Sequence, residues 1–224
     1  MFYCLSSYNS GRFCYVTYPW DYYDTKETKC DSCGRTIQNI QLNYWPPRFS
    51  LEGAKKYPDL LNVVTPFENK CGMIISGKAL QVFQTENISG FFAEPIEVCD
   101  NPKNVKSAKS AKSAIALDVP NYYYIYINGN ISLDYQKMHY RKKNVCNECG
   151  QYTWSRQKIG ESALDYSTWD QSDICKLTDY PNIFVCTQRV IDAIKQNELK
   201  GFAKASEKDI FRVDNTNEIT KMKG

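Results

Sequence analysis

Two stretches of the chain carry the same hydrophobic pattern. Residues 73–93 read MIISGKALQVFQTENISGFFA and residues 184–204 read FVCTQRVIDAIKQNELKGFAK; they align without a gap at an offset of 111. Each begins with a short apolar run, Met73–Ile75 or Ile183–Cys186, that predicts a strand. Ser76 or Thr187 then stands at a helix N-cap position. Apolar residues at helical spacing follow, Ala79, Leu80 and Phe83 in one copy and Val190, Ile191 and Ile194 in the other. Each copy closes on a glycine, Gly90 or Gly201, where a helix C-terminus takes positive φ.

Between the copies, NYYYIYINGNISLDY (121–135) alternates around Asn128-Gly129 and predicts a β-hairpin with a tight turn. The segment KNVKSAKSAKSAIA (103–116) repeats KSA three times; it reads as a solvated loop, with a phosphate-binding arm as the functional alternative. The last residues, 214–224, are polar and expected to fray.

Composition keeps the chain among globular proteins. Of 224 residues, 42% are apolar and 24% charged, enough for one domain with a real core. The net charge of +3 is too small to point to nucleic acid or an anionic membrane by itself. No stretch approaches the length of a membrane span, and the opening MFYCLSSYNSGRFC lacks the pattern of a signal peptide, so a cytoplasmic location is expected. Aromatics reach 14%, and three loops concentrate them: YPWDYYD (18–24), NYWPPRF (43–49) and QYTWSR (151–156). Trp20, Tyr22, Tyr23, Trp45 and Trp154 are therefore candidates for partner binding, against core packing as the plainer use.

Cysteine changes the picture most. Six of the ten, Cys4, Cys14, Cys71, Cys99, Cys175 and Cys186, are scattered singly and read as ordinary buried or surface residues. The other four form two copies of one motif, CDSCG at 30–34 and CNECG at 146–150. Two residues between cysteines let both sulfurs reach one ion from a tight turn, and the following glycine lets the backbone curl beneath them. Cys30, Cys33, Cys146 and Cys149 together match the ligand set of a closed tetrahedral zinc site, one ion per chain. Residues 34–145, 112 of them, separate the pairs, far more than the ~15–20 of a standard ribbon. A vestigial site and a redox dithiol remain the alternatives; the latter needs a strand opening into a helix, whereas both flanks look like polar turns.

The resulting expectation is an α+β fold over residues 1–213. Two pseudo-repeated halves, roughly 1–100 and 118–213, each contribute a CxxCG knuckle and a strand–helix unit around one shared zinc, joined by the low-complexity loop 101–117. No phosphate loop, dinucleotide fingerprint, HExxH or GxSxG occurs. The single histidine, His139, and the scattered carboxylates, including Asp165, Asp170 and Asp173 around Trp169, assemble no catalytic set. A non-enzymatic binding role is the expectation.

With those residues in place, the chain resembles the bacterial double-CXXCG motif family, which includes SitI-type immunity proteins. The resemblance covers most of the chain. It rests on CDSCG, CNECG and the run SDICKLTDYPNIFVCTQRVIDAIKQNELKGFAKASEKDIFRV (172–213), where family members similarly show an Asp-x-hydrophobic-x-Leu segment, a strand, a Thr-capped helix and a Leu-x-Gly-hydrophobic step. The resemblance implies a cytoplasmic antidote that binds one cognate toxin one-to-one, the toxin being encoded by an adjacent gene, with the four cysteines as metal ligands. It carries over no toxin-contact residue. The alternative function is a zinc-ribbon nucleic-acid-binding protein.

Overall fold

In the computed structural model of the chain, described residues are 1–7, 15–17, 23–42, 48–52, 56–61, 72–98, 120–138, 140–150, 153–156, 163–209 and 220–221. They begin with β1 (Phe2–Ser7) and β2 (Tyr15–Thr17), followed by a hairpin of β3 (Tyr23–Lys29) and β4 (Thr36–Leu42). After β5 (Arg48–Glu52) and β6 (Leu60–Leu61), β7 (Gly72–Ser76) runs into helix α1 (Gly77–Thr85), then β8 (Phe91–Pro95) and β9 (Glu97–Val98). Next come β10 (Tyr122–Ile127), β11 (Gly129–Leu133) and a second hairpin of β12 (Tyr140–Lys143) and β13 (Thr153–Arg156). After β14 (Leu164–Asp165), β15 (Ile174–Leu177) and β16 (Tyr180–Thr187) lead into α2 (Gln188–Gln196), with β17 (Phe202–Ser206) and β18 (Thr220–Lys221) last. The fold is sheet-rich α+β.

Two sheets dominate. One has the order β14-β11-β15-β16-β1-β17-β18 and the other β6-β7-β10-β8. Period-2 alternation explains their packing, because successive side chains face opposite sides. In β10, Ile125 and Ile127 face one core while Tyr122 and Tyr124 face another. In β1, Leu5 faces the first core and Phe2 and Cys4 face a third. That first core is shared: Met73 and Ile75 from one sheet meet Phe184 and Cys186 from the other, beside Ala79, Leu80 and Phe83 of α1 and Val190, Ile191 and Ile194 of α2. Both helices thus bury the faces that their spacing predicts.

The helix starts differ in how they are satisfied. Ser76 Oγ accepts from the Ala79 N–H at 3.1 Å, a regular N-cap. Thr187 occupies the same position but makes no side-chain cap; its hydroxyl donates to Asp173 Oδ1 at 2.9 Å. Both helices are followed by a glycine at positive φ, Gly90 at 97° and Gly201 at 87°. Glycine is required there twice over. The Ile174 carbonyl oxygen stands where a Gly90 side chain would go, and the Leu60 carbonyl oxygen lies 2.8 Å from the corresponding point at Gly201.

The hairpin expected around Asn128-Gly129 does not form. β10 ends just before Asn128 and β11 begins at Gly129, but the two strands belong to different sheets. A two-residue turn of that kind needs positive φ at Asn and Gly, and neither is among the positive-φ residues. Their N–H groups instead donate to Gly90 O, at 3.0 and 3.2 Å, and the chain passes on from one sheet to the next. The tail expected to fray contributes an edge strand, β18, with Lys221 opposite Ala203. The KSA segment lies outside the described residues.

Candidate metal centre

Each CxxCG motif sits in the turn of a hairpin. β3 and β4 pair from Tyr23↔Leu42 to Lys29↔Thr36, and the chain between them is the first knuckle. β12 and β13 pair from Tyr140↔Arg156 to Lys143↔Thr153 around the second. The two turns close identically: Gly34 N–H donates to Cys30 O at 2.8 Å and Gly150 N–H to Cys146 O at 2.9 Å. Gly34 and Gly150 both have φ of 69°, the left-handed conformation the motif demands.

The knuckles meet tip to tip. The sulfurs of Cys30, Cys33, Cys146 and Cys149 all lie within 4.8 Å of one another. Cys30 Sγ and Cys146 Sγ are 3.7 Å apart, as are Cys33 Sγ and Cys149 Sγ. A tetrahedron with metal–sulfur bonds of about 2.3 Å has an edge of about 3.8 Å, so the spacing suits one ion at the centre. Cys30 and Cys146 are buried, Cys149 is half-buried and Cys33 is exposed. Four cysteines brought this close from the two motifs can hold a single metal ion.

Residues between the cysteines reinforce the junction. Glu148 Oε2 accepts from the Ser32 N–H at 3.1 Å and from the Ser32 hydroxyl, tying the second knuckle to the first. The Cys30 thiol lies 3.5 Å from the same oxygen. The Ser32 hydroxyl, followed by the Cys30 thiol, holds the Glu148 carboxyl below its usual range. Arg35 Nη2 donates to Asn144 O at 3.3 Å, a further bond across the junction. Glu148 and Ser32 occupy the variable positions of the two motifs; a signal was present, an acceptor in one loop and a hydroxyl in the other.

Two of the thiols, Cys146 and Cys30, are shifted in opposite directions. Backbone N–H groups of Cys149 and Glu148 donate to Cys146 and hold its thiol down to about 6. At Cys30 the backbone N–H of Cys33 pulls downward, but burial and the thiols of Cys33 and Cys149 outweigh it, and the group rises to about 12. A divalent cation would draw the protons off, since metal ligands bind as thiolates.

The other sequence candidates fare differently. Trp20, Tyr22 and Trp45 lie outside the described residues, as does His139. Tyr23 and Trp154 fall in β3 and β13, where the backbone alone is described. Of the single cysteines, Cys4, Cys175 and Cys186 are buried, while Cys14, Cys71 and Cys99 lie outside the described residues. Asp165 and Asp170 cap local turns: Asp165 accepts from Ser167 N–H at 3.0 Å, and Asp170 from Ser172 N–H and also from the distant Asn130 N–H, each at 3.0 Å. Asp173 is buried rather than on a surface connection. No helix is long and apolar enough to cross a membrane among the described residues.

Comparison with known proteins places the chain in no group: no family model matches it, and no curated protein matches it significantly.

Proposed function

We propose that this chain is a non-enzymatic antidote that binds one cognate toxin, built from two related halves that share a single structural zinc ion. The observation that carries the metal half of the reading is the convergence of four cysteine sulfurs, at tetrahedral spacing, from turns 116 positions apart. Thiolate sets of this shape select zinc or iron–sulfur chemistry, and one tetrahedral S4 position fits zinc. Four thiolates close the coordination shell and leave no place for a substrate water, which favours a structural over a catalytic ion. Persistent free thiols fit the reducing cytoplasm.

The antidote half of the reading is supported by the resemblance to the double-CXXCG motif family, whose two motifs this chain carries in order. A binding protein of this kind needs a rigid scaffold and no reactive centre of its own. The test is a pull-down of the tagged chain with the product of each adjacent gene, with zinc measured on the same sample. A one-to-one complex with a protein that is toxic alone, and one zinc per chain, is expected. Zinc without such a partner, together with salt-sensitive binding to nucleic acid, would overturn the antidote in favour of the nucleic-acid reading. Cys30→Ser and Cys146→Ser are each expected to lose the metal and lower thermal stability; full metal occupancy in both would overturn the site.

A further inference from the structure

Each of the two strand–helix–strand units has a gap. β7 and β8 are joined by α1 and are both antiparallel to β10, so they run parallel to each other with β10 inserted between them. β16 and β17 are joined by α2 and are both antiparallel to β1, which fills the space between them. The gap in the first half is filled by the first strand of the second half, and the reverse.

The registers coincide. Tyr123 stands opposite Ile75 and Pro95, and Tyr3 stands opposite Cys186 and Ser206. The shift from Tyr3 to Tyr123 is 120, and from Ile75 and Pro95 to Cys186 and Ser206 it is 111 in both cases. The neighbouring strand agrees: Leu60↔Ile75 and Leu61↔Ile74 correspond to Ile174↔Cys186 and Cys175↔Val185, with Leu60 and Leu61 shifted by 114.

Side-chain bonds cross the same boundary in matched pairs. Asp59 accepts from the Ser76 hydroxyl at 2.6 Å and from the Lys200 N–H at 2.7 Å. Asp173 accepts from the Thr187 hydroxyl at 2.9 Å and from the Ser89 N–H at 3.0 Å. Each aspartate thus bonds the helix start of its own half and the residue before the positive-φ glycine of the other. At the cysteine cluster the close pairs are Cys30 with Cys146 and Cys33 with Cys149, and Ser32 meets Glu148, so each residue faces its own counterpart. Equivalent atoms that face each other are the signature of a twofold axis, and here it runs through the centre of the cluster.

We infer that the chain is an intramolecular exchanged dimer, in which residues 1–100 and 118–213 are obligate binding partners that swap their first strands. This deepens the two-half part of the reading above and is independent of any toxin. An unfilled gap would leave the facing N–H and C=O groups of two inner strands unpaired, which neither half can sustain alone. The surface that each half offers is the gap itself; its occupant is the other half's Phe2–Ser7 or Tyr122–Ile127.

A specific protease site inserted between Ser110 and Ala111 of the full chain allows the link to be cut after folding. The two fragments are expected to co-elute at the size of the intact chain, with a strong chelator present, and to separate only in denaturant together with loss of the sheet signal. Fragments that separate under native conditions, each keeping its sheet signal, would overturn the inference. Hydrogen exchange on the uncut, unmodified chain gives an independent reading. Amides of β1, β16 and β17 are expected to open together with those of β7, β8 and β10 at one common rate. Protection that persists in one set after the other has exchanged by tenfold or more would overturn it. Neither result depends on whether the toxin pull-down succeeds.

Discussion

Asp59 and Asp173 are buried carboxylates with both oxygens occupied by protein donors. A buried charge is tolerated only when hydrogen-bonded in this way. Replacing either with Asn keeps the size but turns an amide N–H toward protein donors, and at Asp173 it also removes the charge that the Ser89 hydroxyl and the Arg189 guanidinium meet at 3.1 and 3.3 Å. Hydrogen bonds to charged groups contribute about 1.5–3 kcal/mol each, so Asp59→Asn and Asp173→Asn should each lower the unfolding free energy by that amount in urea titrations. Loss below about 0.5 kcal/mol in either would show that the bond is not maintained in solution. Cys175 gives a residue-level dependence on pH. Burial, with Asp170 adding to it, pushes its thiol up to about 12 from 9.0. A raised folded value for an acid means the neutral form is favoured by folding. Its contribution is fully present below pH 9 and is lost as pH rises toward about 12. Thermal midpoints measured from pH 8 to 11 should therefore fall, and Cys175→Ala should flatten that fall while lowering the midpoint at pH 8 through the small cavity it leaves. An unchanged alkaline slope in the variant would assign the fall to other groups.

At the scale of elements, the four glycines with positive φ among the described residues fall into two classes. Gly34 and Gly150 have open space where a side chain would go, whereas Gly90 and Gly201 meet carbonyl oxygens of neighbouring strands. Alanine at Gly34 therefore costs only the backbone penalty of about 1–2 kcal/mol. Gly90→Ala must also push β15 away from Gly90, and its loss should exceed that of Gly34→Ala by at least about 1 kcal/mol; equal losses would mean that the sheet yields freely. These glycines also show what was legible beforehand. Strand, cap, helix and glycine follow one another within about 20 residues in each copy, so local periodicity exposed both units. The exchange of β1 and β10 left no local trace, because a strand's pairing partner is not encoded in its own alternation. The Asn128-Gly129 dipeptide carried a genuine turn signal that tertiary pairing overrode: Asn128 and Gly129 donate to Gly90 O, and β10 is drawn between β7 and β8.

For the whole molecule, the four cysteines were legible from spacing, but not their meeting, which depends on two hairpins projecting from opposite halves. None of the four belongs to the hydrophobic cores among the described residues. The hairpins that carry them, β3–β4 and β12–β13, each form a two-stranded sheet of their own. A metal held there and the cores would therefore be separate sources of stability, and removing the metal should weaken the chain without melting its sheets. An ion present at a thousandfold its dissociation constant adds about 4 kcal/mol by linkage. For a chain of this length each kcal/mol moves the midpoint by about 2–4 °C, so a strong chelator should lower it by roughly 8–16 °C while the far-ultraviolet signal at room temperature stays unchanged. Because the ligands bind as thiolates, acidification should release the ion and reproduce the same drop before the cores are affected. Re-addition of zinc at neutral pH should restore the midpoint. A chelated chain that melted where the metal-replete one does would mean that Glu148, Ser32 and Arg35 hold the knuckles together unaided; a chelated chain already unfolded at room temperature would mean that the two halves cannot stay exchanged without the ion at their axis.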